Sequence, residues 1–398
     1  MRGAARSGRS GTVRAALGEL SGGLGDTGLF IPIAVAMITL NGLNATAVFV
    51  VTGLVYAGAA LYFRVPVPVQ PLKAFAAAAI ALQLSAETLA AGALLMAAAM
   101  GALAAWNLAD LLAERFPVVL VRGIQASVAL LLAKAAVDLA EQGNWPGLPS
   151  LSPALGVGMA VAACALLFVC RQLSLPGSLL VLGAGAAVGM AVGGLPELHA
   201  GPQPMSLSVP GAGAFAVALT SLVIAQLPLT FGNAVVATAD AERSYFGARA
   251  WRVRPARLAA SIGLANALAG LSGALPLCHG AGGVTAHYKL GARTAVSTLA
   301  AGSLFVALGL GLGSSLPALL QVLAPGALAG MLAFVAIQHG VLAGQLERLD
   351  DRLIAAGIGL TTLLSGNLAI GFGTGVAVVT ARALWRRSRW ASESLARA

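Results

Sequence analysis

The sequence predicts an all-α polytopic membrane protein, and three observations carry that reading. Of 398 residues, 58% are hydrophobic and only 10% are charged. A soluble domain carries about 25% charged residues, so this surface needs lipid to cover it. Glycine is abundant at 50 residues while aromatics make up 5%. Small residues let helices approach closely in a bilayer, where packing replaces the hydrophobic drive. Apolar stretches near the length of a spanning helix recur along the chain, with basic residues between them.

A spanning helix needs about 20 apolar residues, fewer when it is broken or buried. Fourteen segments meet this description: 17–39, 45–63, 70–85, 88–108, 118–138, 154–170, 177–195, 212–238, 257–273, 279–291, 294–313, 317–342, 351–365 and 367–385. With the N-terminus in the cytoplasm, arginines 64, 115, 122, 171, 243, 249, 252, 254, 257, 293, 348 and 352 fall on the cytoplasmic side. So does the basic C-terminal stretch, and loops 139–153 and 196–211 contain no Lys or Arg. The positive-inside rule therefore predicts an even number of spans with both termini cytoplasmic, in a plasma or inner membrane. Residues 1–13 read as a basic cytoplasmic tail without a cleavable signal pattern, and 386–398 as a short tail with no regulatory domain after the last span.

The net charge of +10 is spread over short loops between apolar spans, which excludes a nucleic-acid-binding face. Cys164, Cys170 and Cys278 lie in or beside apolar segments without CxxC spacing. They read as structural thiols, and no metal or cofactor is expected. No phosphate loop, HExxH or nucleotide motif occurs, and Cys278–His279 lacks a nucleophile motif, so enzyme chemistry is not expected.

Two segments break the helical pattern. In PVPVQPLKA (66–74) alternating prolines forbid a helix interior, and Pro71 suits a first helical turn starting near Gln70. In ALPLCHGAGGV (274–284) Pro276 opens an extended stretch, a glycine cluster follows, and a helix resumes near Gly282. The two breaks occupy corresponding places in two halves, 14–195 and 212–385. Seven spans per half would insert the halves with opposite topology, and broken helices at matching places mark a secondary-transporter site.

Two half-helix N-termini meeting at the midplane offer free N–H groups and partial positive charge, which makes an anion site. The residues expected around it are Asp26, Thr27, Gln70, Pro71, Leu72, Lys73, Gln226, Thr230, Asn233, Cys278, His279, Gly280, Ala281, Gly282 and Gly283. The glycines allow close approach of a ligand to the backbone. A lysine at mid-membrane costs about 2.5–3.5 kcal/mol on insertion scales. Lys73 therefore serves an anion, snorkels to the surface, or pairs with a carboxylate such as Asp26. Gln, Thr and Asn are suitable donors to oxyanion oxygens, or else hydrogen-bond between helices. Lys134, beside Asp138, reads as a structural pair.

At these residues the chain resembles the sulfate/molybdate transporter family related to the sulfate permeases. The motifs are GDTGLFIP (25–32), PVQPLKA (68–74), QLPLTFGNAV (226–235) and PLCHGAGGVTAHYKLGAR (276–293). Leu72 stands where the family has Met. The resemblance covers residues 15–385 and implies a seven-plus-seven inverted repeat with core and gate domains. It further implies uptake of molybdate, with sulfate as the related substrate. Proton symport is expected, with Glu19, Asp26 and His279 as candidate carriers. A sulfate transporter, a nucleobase–cation symporter of the same architecture and an anion channel remain alternatives. Nucleobase symport would favour carboxylates where Gln226 and His279 stand. Lipid and a small inorganic oxyanion are the expected partners, and a homodimer is compatible with the sequence.

Overall fold

The computed structural model describes residues 16–25, 27–106, 108, 117–141, 152–173, 177–194, 196–205, 209–321 and 323–397. After a helical stretch at 16–23, the elements are α1 (Thr27–Thr39), α2 (Ala45–Phe63), β1 (Gln70–Pro71), α3 (Lys73–Ala81), α4 (Ala86–Ala105), α5 (Val118–Glu141), α6 (Pro153–Gln172) and α7 (Gly177–Gly193). The second half holds α8 (Ala212–Ala250), α9 (Pro255–Ser272), β2 (Leu277–Cys278), α10 (Ala281–Lys289), α11 (Val296–Leu312), α12 (Leu316–Gln321), α13 (Pro325–Ala343), α14 (Leu349–Ser365) and α15 (Leu368–Arg397).

Every apolar segment expected from sequence contains a helix, and seven helices of the described residues are long and apolar enough to cross a membrane. The first segment is broken: its helix stops at Gly23 and restarts at Thr27, whose hydroxyl donates to the Leu24 carbonyl at 2.8 Å. Local sequence sets many of the boundaries. Asn44 and Ser85 cap α2 and α4 by accepting from Ala47 and Thr88 N–H groups at 2.9 and 3.3 Å. Pro255 and Pro325 open α9 and α13, where a missing N–H costs nothing. Arg64 ends α2 in the left-handed region at φ 60°.

α8 runs through 39 residues and carries two wide π-type turns, at Leu219–Val223 and Thr230–Val236, on either side of Pro228. Proline removes a donor and crowds the preceding turn, and a wider turn absorbs that clash. α15 continues to Arg397, beyond the limit of 385 expected from apolarity alone.

Helices cross where side chains are small. A methyl group added at Gly53 would collide with the backbone of Gly302, which joins α2 to α11. Gly326 and Gly330 meet the backbones of Gly156 and Ala160 in the same way, which joins α13 to α6. These contacts are the small-residue packing anticipated from composition. The main buried cluster includes Phe30, Phe75, Met96, Leu132 and Leu328. A second gathers Phe63, Val65, Val67, Phe246 and Val284 where α2, α8 and α10 converge.

Candidate anion site at the crossed strands

β1 and β2 pair antiparallel, with Gln70 opposite Cys278 and Pro71 opposite Leu277. The Leu72 N–H extends the pairing to the Pro276 carbonyl at 3.0 Å. The two broken segments, far apart in sequence, therefore lie side by side. Each strand leads into a nine-residue helix, α3 at Lys73 and α10 at Ala281. Pro71 lies in the strand and not in the first helical turn as expected; its fixed φ and missing N–H suit either, and pairing with Leu277 decides.

Buried amides brace this arrangement. Asn266 of α9 donates to the Leu277 carbonyl at 2.6 Å and accepts from the Leu277 N–H at 3.2 Å, which satisfies the outer edge of β2. Gln226 of α8 accepts from the Phe75 N–H, in the first turn of α3, at 2.8 Å. Its amide donates to the Thr230 hydroxyl at 2.7 Å. Both polar atoms of Gln226 are thus engaged in holding α3 on α8, a role that its expected use as an anion donor leaves out. Sequence reading passed over Asn266 because an amide inside an apolar helix carries no local mark of its partner.

The other expected residues fall into three sets. Gln70, Leu72, Cys278, Gly280, Ala281 and Gly283 lie on or beside the strand pair with Lys73. The Cys278 thiol points at the Pro71 carbonyl, 3.5 Å away. A methyl group on Gly280 would strike the Gln70 side chain, whereas one on Gly282 would meet open space. Gly280, Gly282 and Gly283 all have negative φ, so none of the three is held in a backbone that only glycine adopts. Thr27, Thr230 and Asn233 belong to neighbouring helices; the carbonyl of Asn233, in the second π turn, accepts from the hydroxyl of Thr238 just beyond it at 3.0 Å.

The expected proton carriers are placed differently. His279 is buried, with Nδ1 2.8 Å from the Pro68 carbonyl and Nε2 3.0 Å from the Ser261 hydroxyl. A carbonyl only accepts, so Nδ1 donates to Pro68, while Nε2 shares a hydrogen bond with the Ser261 hydroxyl. Both ring nitrogens thus brace the strand approach against α9. Glu19 accepts from the N–H groups of Arg293 and Thr294 at 3.2–3.3 Å, which caps the connection into α11. Asp26 lies outside the described residues.

Lys73 is half-buried, and its ammonium forms no ion pair with a described carboxylate. Lys134 pairs with Asp138 across one turn of α5 on an exposed face, as expected. Two further buried groups carried no signal in the sequence. Glu242 of α8 is 0% exposed, and neither carboxylate oxygen has a partner among the described residues. His339 of α13 is 4% exposed, and its Nδ1 likewise has no such partner.

The arrangement presents two helix N-termini, an ammonium and a patch of open space at Gly282. Partial positive charge and donors without intrahelical acceptors suit a compact anion there.

Comparison with known proteins bears on this geometry. A family model described as "Molybdate transporter of MFS superfamily" matches residues 18–132 and 218–338, together more than half of the chain. Two Arabidopsis thaliana proteins named Molybdate transporter 2 and Molybdate transporter 1 are 26% and 28% identical. The alignments cover 90% and 94% of this chain and 85% and 90% of those proteins. Among solved structures, the transmembrane domain of the cyanobacterial bicarbonate transporter BicA superposes with a TM-score of 0.65 at 17% identity. That match covers 89% of this chain and 96% of BicA's domain. SLC26A9 gives 0.64 at 14% identity over 93% of this chain and 66% of that one. At these identities the likeness is one of fold.

Proposed function

The chain belongs to the molybdate transporter family, and from that membership we propose that it is a secondary active transporter of a tetrahedral oxyanion, molybdate first and sulfate second. It is a multi-pass membrane protein, and the family and its named relatives are transporters, not enzymes. The observation that carries the substrate reading is the pairing of β1 with β2. That pairing sets the N-termini of α3 and α10 together beside an ammonium with no described carboxylate partner.

The anion binds between Lys73 and the opening turns of α3 and α10. Backbone N–H groups supply most donors, because helix ends bind an anion without bringing a full charge into the bilayer. The paired strands are the midpoint of a seven-plus-seven inverted repeat, 14–195 and 212–385. Both termini face the cytoplasm, and alternating access moves the site between the two sides.

Transport is coupled. Carrying a dianion inward against 100 mV costs about 2 × 2.3 kcal/mol. Uncoupled, the ion would stand about a thousandfold lower inside than outside at equilibrium. A trace nutrient needs the reverse, and proton symport supplies it. The test is uptake of molybdate into liposomes holding the purified protein, with sulfate as competitor and an imposed pH gradient. Accumulation above the external level that collapses with the gradient is expected. Uptake that only equilibrates would indicate a channel, and uptake blocked by sulfate at lower concentration than by molybdate would reverse the substrate order.

A further inference from the structure

We propose that the connection between α8 and α9 holds the phosphate headgroup of an anionic phospholipid, in the leaflet at the arginine-rich end of these two helices. The inference needs only that the chain crosses a membrane, and it stands whatever the transported ion. Residues 243–257 hold arginines at 243, 249, 252, 254 and 257 and no acidic residue. Orientation by the positive-inside rule needs such charge only somewhere in the connection. Here it is gathered around a cavity of about 420 Å³ between the end of α8 and the start of α9. Arg243 and Arg254 line that cavity, together with Gly247, Ala248, Trp251 and Pro255. Arg254 forms no ion pair among the described residues, and Arg243 forms one only at 3.9 Å, to the exposed Asp240.

The turn that carries these side chains is pinned to the protein. Gly247, at φ 55°, bends the last turns of α8 in a conformation that side chains rarely adopt. Ala250 and Val253 are buried in the second apolar cluster, and their neighbours Trp251 and Arg254 are exposed. The Arg252 guanidinium lies 5.0 Å from the Trp251 ring and 5.9 Å from the ring of Tyr62 on α2, and it donates to the Tyr62 carbonyl at 2.8 Å. The Arg257 guanidinium lies 5.6 Å from the Trp251 ring on its own account. An exposed tryptophan flanked by arginines suits the headgroup level of a bilayer, where its ring is half apolar and half wet.

The surface beside the cavity decides between a lipid and a free phosphate. On α9, Ala260, Leu264, Leu268 and Leu271 are exposed at helical spacing from Arg257. Leu264 lies about 10 Å along the axis from Arg257, at the rise of an α-helix. Leu54 and Leu61 of α2 are exposed as well. An apolar stripe for acyl chains thus starts where the basic cavity ends. A free phosphate would use the arginines and leave Trp251 and this stripe without a role. Guanidinium groups bind phosphate oxygens in pairs, and basic pockets between spanning helices hold lipid headgroups. A zwitterionic headgroup brings its own cation to the arginines, so the charge favours an anionic one.

The test measures lipid affinity of the full-length protein in neutral detergent, by native mass spectrometry of the complexes. Phosphatidylglycerol and phosphatidylcholine with the same acyl chains are titrated in parallel, with inorganic phosphate as a soluble competitor. The wild type is expected to bind phosphatidylglycerol in preference. Arg243→Gln/Arg254→Gln should weaken that binding about 25-fold, at about fivefold per arginine. Arg171→Gln/Arg348→Gln removes the same charge elsewhere and should leave the affinity unchanged. A measurement without substitution accompanies these. Hydrogen exchange at residues 247–254 should be slower in phosphatidylglycerol nanodiscs than in phosphatidylcholine nanodiscs. Equal affinity for the two lipids, equal weakening in both double variants, or equal exchange in the two nanodiscs overturns the site. Displacement of the lipid by inorganic phosphate would make the cavity a soluble-phosphate site and overturn the lipid assignment.

Discussion

At the scale of single residues, the site is defined by contrast between groups that are engaged and groups that are open. Gln226, Asn266 and His279 are polar and buried, and each has its bonding capacity taken up by backbone or side-chain partners. Lys73 has no ion pair with a described residue, although its half-burial makes it costly. Lys73→Met is therefore expected to keep the folded protein while weakening anion binding. A lost hydrogen bond to a charged group is worth about 1.5–3 kcal/mol, or about ten- to a hundredfold in affinity. Binding titrations at matched purity check this, and an unchanged affinity would assign Lys73 a structural role. Lys73→Arg should rescue only in part, because a planar fork differs from a compact ammonium.

At the scale of elements, two short strands hold two short helices in place, so their braces matter more than their length. An isolated two-stranded pair is marginal at best, and nine-residue helices do not persist alone. Asn266 supplies what the pair lacks by satisfying both backbone groups of Leu277. Asn266→Leu leaves a buried N–H and a buried carbonyl without partners, at about 1–3 kcal/mol each. We expect a clear fall in thermal melting temperature that anion addition restores only weakly; an unchanged melting temperature would show that water replaces the amide. A different element pair responds to pH. Arg348 holds the Asp350 carboxyl below the usual carboxylate range by a hydrogen bond at 3.1 Å. Arg382 reaches both Asp350 and Asp351, which ties α15 to α14. Asp350 has a lowered folded-state pKa, so its contribution is present above the ordinary carboxylate range and is lost as pH falls through the lowered value. The cluster is exposed, so the contribution is small and salt weakens it. Hydrogen exchange in the first turn of α14 should rise on acidification, and rise also in high salt at neutral pH.

At the scale of the whole molecule, the distribution of arginine is the basis of the proposed orientation. Glu197 lies in the loop free of Lys and Arg, and Arg249 lies at the arginine-rich end of α8; both side chains are exposed. An impermeant thiol reagent added to intact cells should modify Glu197→Cys and leave Arg249→Cys untouched in a background without native cysteines. The reverse pattern would invert the proposed topology. Helix crossings at Gly53–Gly302 and Gly330–Ala160 are closed to added methyl groups. Packed interfaces do not deform continuously, so the proposed alternating access calls for displacement between blocks whose own contacts stay fixed.

The sequence by itself determined the membrane class, the places of the helices and the two breaks at 66–74 and 274–284. These properties are local: apolar length, proline spacing and small-residue content act within one turn or one span. The strand entry at Pro276 and the helix restart beside Gly282 were legible for that reason. Only the tertiary structure decided the register of Gln70 with Cys278 and the bracing roles of Gln226, Asn266 and His279. An amide or imidazole looks the same in sequence whether it holds an anion or a backbone carbonyl. Its role is set by which atoms lie within about 3 Å, and chain segments far apart in sequence supply those atoms.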